Sequence, residues 1–413
     1  MPNFSRRQLL LAGSSLGLGT FVFKQGLRYP RMGFEPENPA TKVVATLAQL
    51  DLNDCVYTGR QEPITIRAFA PEPKIGINFK RGGTLRIDIN NIASNAQLQI
   101  DGLGIKSVDE EVLGITRQLT IRANSNKKVD LAWHLPNNDA FKFAVIGDTG
   151  GGSELEWCLL RAQELEAQFL LHLGDFNYTN KDVSPANRSD EYELSIQKFR
   201  HSPLPVYISI GNHDFNQSGL VYQRFLNELG PMNHAFELGG TRFINMDTAA
   251  DFFPAGSGNR GNLAHQLVHS KAIYDDQLFF THKPMQDPRE GKDHGIGSAS
   301  EIKWLREQMK NLNCSTLFNG HVHQSDERDL EGIYQWTVGE GLGHEDLVHK
   351  RRISRLVVGQ VERGKKINYT WHSLDMPWAL HQSHTHETKL LKHQRLEQLE
   401  WYKTMLNRQS IAT

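Results

Sequence analysis

The sequence predicts a small all-β sandwich followed by a larger layered α+β domain. Between about Thr41 and Pro136, apolar residues alternate at period two and are separated by Gly, Asn and Pro. After Pro136-Asn137-Asn138, short continuous apolar runs alternate with helical stretches, the pattern of layered α and β structure. Two Ser residues, each answered by Glu three positions on, mark helix starts in that second part.

In chain order, Ile64-Thr65-Ile66, Leu85 to Ile89, Leu98-Gln99-Ile100 and Leu119-Thr120-Ile121 read as strands of the first domain, residues 41–137. The second domain spans 138–376, with helix caps expected at Ser153 before Glu156 and at Ser298 before Glu301. Residues 377–413 read as a helical C-terminal tail with Leu396, Leu399, Tyr402 and Leu406 on one side, preceded by the solvated His381, His384 and His386. The 413 residues, 38% apolar and 23% charged, suffice for two domains. A formal charge of −1 excludes a global basic field and hence nucleic acid as a specific partner. The basic run His349 to Arg352 reads as solvated surface. Cys55, Cys158 and Cys314 form no metal or disulfide framework, although one bridge remains open.

Ser5-Arg6-Arg7-Gln8-Leu9-Leu10, followed by a short Gly-rich apolar stretch to Phe23, resembles a twin-arginine export signal over residues 1–25. It implies the twin-arginine export machinery as a partner and a periplasmic or cell-surface location. No A-x-A site follows Phe23, so retention as an N-terminal membrane anchor and removal both stay open. The stretch from Lys80-Arg81-Gly82-Gly83-Thr84-Leu85 to Leu98-Gln99-Ile100-Asp101-Gly102-Leu103 resembles a cupredoxin domain, without that family's copper-binding His-x-His.

The chemistry gathers at the ends of five apolar runs. Phe143 to Ile146 precedes Asp148, Phe169 to Leu171 precedes Asp175, and Val206 to Ile208 precedes Asn212. Leu278 to Phe280 then precedes His282, and Thr316 to Phe318 precedes His321. Carboxyl ends of parallel strands share one edge of a sheet, so the five endings are expected to converge there. Asp, Asn and His supply hard oxygen and imidazole donors, a set that suits first-row di- or trivalent metals and excludes a thiolate site. His321 and His323 are two apart and, in an extended segment, face the same way.

Gly147-Asp148-Thr149-Gly150-Gly151, Gly174-Asp175-Phe176-Asn177-Tyr178, Gly211-Asn212-His213-Asp214, His282-Lys283-Pro284 and Gly320-His321-Val322-His323 resemble the five motifs of calcineurin-like metallophosphoesterases. They most resemble those of purple acid phosphatases, because Gly150 stands where most of the superfamily has a His and Tyr178 lies three after Asp175. The resemblance implies an αββα metallophosphoesterase sandwich. It also implies two metal ions: Fe(III) on Asp148, Tyr178 and His323, a divalent Fe, Zn or Mn on Asn212, His282 and His321, and Asp175 bridging. Such a pair can hold phosphate and lower the pKa of a water that attacks phosphorus in line. His213 matches the family histidine that contacts phosphate and assists the leaving group, and His294-Gly295 resembles a second such element. Asp247 looks like a support of the site.

The expected activity is hydrolysis of phosphomonoesters in a phosphorylated small-molecule substrate. A phosphodiesterase or nucleotidase would use the same metals, its choice lying in loops such as 179–190 and 250–275. A metal-stabilised binding protein is the non-catalytic alternative, and it has no need of His213.

Overall fold

The computed structural model describes residues 38–178, 188–214, 220–249, 256–270, 272–342 and 354–374. The export-signal segment, the 349–352 basic run, the histidines and helix of the tail, residues 179–187, and residues 250–255 and 271 lie outside the described residues; the rest of 250–275, expected as a loop, is mostly a helix over Gly258–His269.

The first domain is two five-stranded sheets packed face to face. One has the order β1-β2-β5-β10-β7, from Lys42–Val44, Ala48–Asn53, Lys74–Phe79, Lys127–His134 and Gln97–Asp101. The other is β3-β4-β6-β9-β8, from Cys55–Gln61, Ile64–Ala68, Gly83–Asn90, Thr116–Ala123 and Ile105–Leu113. Alternation places Ile75, Ile77 and Phe79 of one sheet and Leu85, Ile87 and Ile89 of the other in a shared buried core. The intervening Arg86 faces solvent.

The second domain layers helices on both sides of two more sheets. Its first sheet has the order β13-β12-β11-β20-β21 (Val206–Ile208, Leu170–His172, Ala140–Ile146, Arg355–Glu362 and Asn368–Ser373), with β11, β12 and β13 parallel. The second runs β14-β15-β16-β17-β19-β18 (His234–Leu238, Thr241–Asn245, Asp276–Phe280, Thr316–Asn319, Tyr334–Val338 and Ser325–Asp329), with a parallel centre. Aromatic rings form the seam between these sheets: Phe143 and Phe169 of the first stand edge-on to Phe243 of the second, at centroid distances of 5.1 and 5.6 Å. Helices α1 (Ser153–Glu164), α2 (Arg188–Arg200) and α3 (Leu220–Glu228) contribute Leu159, Phe199 and Phe225 to the core shared with the first sheet. Helices α4 (Gly258–His269) and α5 (Ala299–Asn311) cover the far side of the second sheet. There Ala264, Leu305 and Met309 join Ile244, Phe279 and Leu317 in a separate cluster.

Four further details differ from the sequence reading. The five ligand-bearing strand ends do not share one sheet edge: three belong to the first sheet and two to the second, meeting at the rim where both sheets present carboxyl ends. Runs buried on both faces read alike in sequence whichever sheet they join. Ser153 is not a cap, because Gly152 occupies that position without a side-chain hydrogen bond. Ser298 does cap α5, its hydroxyl accepting the Glu301 N–H at 3.2 Å, but the Glu301 carboxylate pairs with Arg260 on α4 and does not fold back. All three cysteines are buried free thiols, so no bridge forms.

Candidate metal centre

Three of the five endings turn sharply just after their strands. Asp148, Asp175 and His321 have φ of 60°, 57° and 69°, a left-handed backbone rare for residues with a Cβ and concentrated at functional sites. The same turn corrects the expectation of an extended 321–323 segment: the chain bends, and Val322 is buried between two histidines that serve different donor groups. The loops interlock closely enough to exclude side chains. A Cβ on Gly174 would lie 2.6 Å from the Gly211 Cα, and one on Gly320 would run into the Asp148 carboxylate.

Two groups of donors result. In the first, the Tyr178 hydroxyl lies 3.3 Å from Asp148 Oδ1 and 3.0 Å from His323 Nε2, and those two are 3.6 Å apart. In the second, His282 Nε2 is 2.8 Å from Asn212 Oδ1 and 3.4 Å from Asp175 Oδ2. Ligand atoms of Asp175, His282 and His321 all lie within 4.8 Å of one another. With metal bonds of about 2.1 Å, neighbouring ligands of a tetrahedral or octahedral ion are ~3.0–3.4 Å apart, so the separations fit the edges of two coordination shells. Every donor is oxygen or imidazole, a set that suits hard metals, and Asp175 stands with the second group.

Electrostatics show what the donors do alone. Burial lowers the pKa of His282, but the Asp175 carboxylate beside it more than compensates, and the imidazole rises to about 9. Burial alone would raise the Asp175 carboxyl, but the charge and hydrogen bond of His282, with His213 and His321 adding, hold it well below the usual carboxylate range. Burial lowers His321 well below 6.5, with His282 adding to the effect, which keeps a neutral ring available as a ligand. Burial pushes the Tyr178 phenol well above 10, reinforced by Asp148 and Asp175, so only a strongly charged cation would make it a phenolate.

Tyr178 also accounts for Gly150. A Cβ at 150 would lie 3.3 Å from the tyrosine ring and 3.3 Å from a Glu191 oxygen, at φ +57°. The ring occupies the space into which a histidine at 150 would grow.

Further residues hold the donors in place. The Asp214 carboxylate, fully buried, accepts the N–H groups of Gly211 at 2.7 Å, Asp175 at 2.8 Å and Phe176 at 2.9 Å, tying the second motif to the third. Glu191 on α2 accepts from Gly151 N–H at 3.0 Å and Tyr178 N–H at 3.2 Å, joining the first motif to the second. His282 Nδ1 lies 2.8 Å from the Leu173 carbonyl; donating there leaves Nε2 free to bind metal. The buried His172 accepts the Gly174 N–H at 3.2 Å on Nδ1 and contacts the Thr149 hydroxyl at 2.9 Å through Nε2; burial drops its pKa to about 3. Sequence reasoning assigned none of these roles. A histidine inside the apolar run Leu170 to Leu173 was the one local signal, since a buried polar group must find partners. Nothing local to Glu191 shows that it serves loops 13 and 40 residues upstream.

His213 stands beside both groups, its ring centroid 4.8 Å from that of Tyr178 and its Nε2 4.0 Å from Asp175 Oδ2. His294 is exposed above the second group, 6.2 Å from the ring of His321, its N–H held by Asp287 at 2.9 Å. Asp247 is buried, its carboxylate accepting the Ala249 N–H at 2.9 Å and its own N–H donating to Asn233 Oδ1 at 2.9 Å.

Residues 141–325 match the family model described as calcineurin-like phosphoesterase. The fold is similar to purple acid phosphatase PPD1 from yellow lupin (Lupinus luteus) seeds, with 10% identity over 74% of this chain and 70% of that one and a TM-score of 0.44. It is similar to a dimetal phosphatase from Danio rerio (13% identity, 57% of this chain and 96% of that one, TM-score 0.40). It is likewise similar to GAP50, the anchor in the inner membrane complex of Plasmodium (15% identity, 57% and 85%, TM-score 0.44). A search of curated proteins returned no match.

Proposed function

We propose that this protein is a two-metal acid phosphatase of the purple type, hydrolysing phosphomonoesters. The observation that carries the reading is the Tyr178 hydroxyl between Asp148 Oδ1 and His323 Nε2, with its ring filling the space beside Gly150. A hard anionic phenolate in that group favours Fe(III), and the Asn212, His282 and His321 group suits a divalent Fe, Zn or Mn. Bound there, two cations would orient phosphate, neutralise charge and supply an activated water.

The chain's own residues do the rest. Asp175 is the ligand expected to bridge the two metals, and the His213 ring, beside Tyr178 and 4.0 Å from Asp175 Oδ2, can donate a proton to the departing alkoxide. His294 reaches the second group from the opposite strand-end loop and can orient the substrate. The Arg6-Arg7 segment supports export to the periplasm or cell surface, tested by whether disrupting that pair retains the protein inside the cell.

The substrate claim is tested with paired chromogenic substrates, p-nitrophenyl phosphate against bis-p-nitrophenyl phosphate. The monoester should be turned over with the higher kcat/KM; preference for the diester would replace the phosphatase by a phosphodiesterase on the same metals.

A further inference from the structure

The N-terminal sandwich touches the catalytic domain at both flanks of the loop that carries Asn212 and His213. Upstream of that loop, β13 is the edge strand of its sheet and, among the described residues, pairs only with β12, leaving the backbone of Val206 to find other partners. Asn91 supplies them. Its side chain is fully buried, its Oδ1 accepts the Val206 N–H at 2.8 Å, and its Nδ2 donates to the Val206 carbonyl at 3.0 Å, as a paired peptide unit would. Nδ2 also donates to Ala68 of the sandwich at 2.8 Å, which fixes the carboxamide. Arg67, 3% exposed, adds a second donor to the Val206 carbonyl at 2.9 Å and is steadied by Asn90 at 3.1 Å. Downstream of the loop, α3 packs against β3, and Phe69 lies edge-on to His234 at 5.1 Å, against Gly230.

We infer that the N-terminal sandwich is a positioning element of the metal centre, setting Asn212 and His213 through the grip of Asn91 and Arg67 on Val206. The strand transmits the grip because it is held in register on β12 and because Ser209 N–H bonds the His172 carbonyl at 2.8 Å, so Val206 cannot shift without moving the residues that follow. The quantity at stake is the 2.8 Å approach of Asn212 Oδ1 to His282 Nε2, one edge of the proposed divalent site. Asn212 is the donor of that group on the loop that follows this strand, whereas Asp148, Tyr178 and His323 lie on other loops. The inference rests on the two-metal reading.

The test uses full-length protein loaded with both metals. Asn91 has φ +73°, so Asn91→Gly removes the carboxamide without straining the backbone, and Arg67→Met is the second variant should the first not accumulate folded. Ile77→Ala, in the sandwich core, serves as a control whose loss of stability is global. Metal retained after dialysis against chelator is read by elemental analysis, with melting temperature and kcat alongside. Asn91→Gly and Arg67→Met should weaken the divalent ion about tenfold and lower kcat while iron stays bound, and Ile77→Ala should retain both ions. Equal retention in all three variants at matched melting temperature overturns the inference and leaves the two-metal reading intact. A wild-type protein that binds no metal pair overturns that reading instead.

Discussion

Replacing Asp214 by Asn would test whether the metal loops are held by one buried carboxylate. In the native arrangement both oxygens are used: Oδ2 accepts the Gly211 and Asp175 N–H groups, and Oδ1 accepts that of Phe176. A carboxamide keeps one acceptor oxygen, so at least one buried N–H must face an NH2 group. A buried donor left unsatisfied costs about 1–3 kcal/mol, and the surviving bonds lose their charge assistance. Asp214→Asn should therefore destabilise metal-free protein by roughly 2–4 kcal/mol in equilibrium unfolding. The same tether fixes Asp175 relative to Gly211 and Asn212, so affinity for the metals should fall 10- to 100-fold in a chelator competition. An Asp214→Asn protein with wild-type stability and wild-type metal affinity would refute the assignment.

His213→Ala should leave metal content unchanged and reduce kcat by about 10²–10⁴-fold, the span of a lost general acid; unchanged turnover would remove His213 from the chemistry. Glu191→Ala frees the N–H groups of Gly151 and Tyr178 and should lower iron affinity more than divalent-ion affinity, read by metal analysis after dialysis. Stability should fall on acidification through two buried neutral histidines, since burial lowers His172 to about 3 and His234 to about 4. A folded pKa below the unfolded 6.5 means the unfolded chain binds the extra proton, so their contribution is complete above pH 6.5 and shrinks as pH falls toward those values. At pH 5 each costs about 2 kcal/mol relative to neutral pH. Denaturant titrations at pH 7 and 5 measure it; His172→Gln should lose less stability between the two than wild type, and an equal loss in both proteins would count against it.

The donor residues were legible in the sequence because each follows an apolar run within a few positions, a local pattern that survives without coordinates. Their division between two sheets was not, because Val206 to Ile208 and Leu278 to Phe280 are equally apolar and carry no mark of which sheet they join. Alternation at Leu85, Ile87 and Ile89 marked a strand of the N-terminal all-β region for the opposite reason, one face of the strand being wet. The residues missed, Asp214, Glu191 and Asn91, share a mode of action. Each satisfies backbone N–H groups of distant segments, and a backbone partner leaves no trace in residue type. Ser153 misled because a Ser before a helix suggests a cap, whereas Gly152 takes that position one residue earlier.

The central claim is that two metals, one of them Fe(III) beside Tyr178, occupy this site. The most direct measurement is metal content and visible spectrum of purified wild-type protein next to Tyr178→Phe. Two metal ions per chain are expected, with a phenolate-to-iron charge-transfer band that Tyr178→Phe abolishes. An active protein without that band, or one holding a single ion, would contradict it.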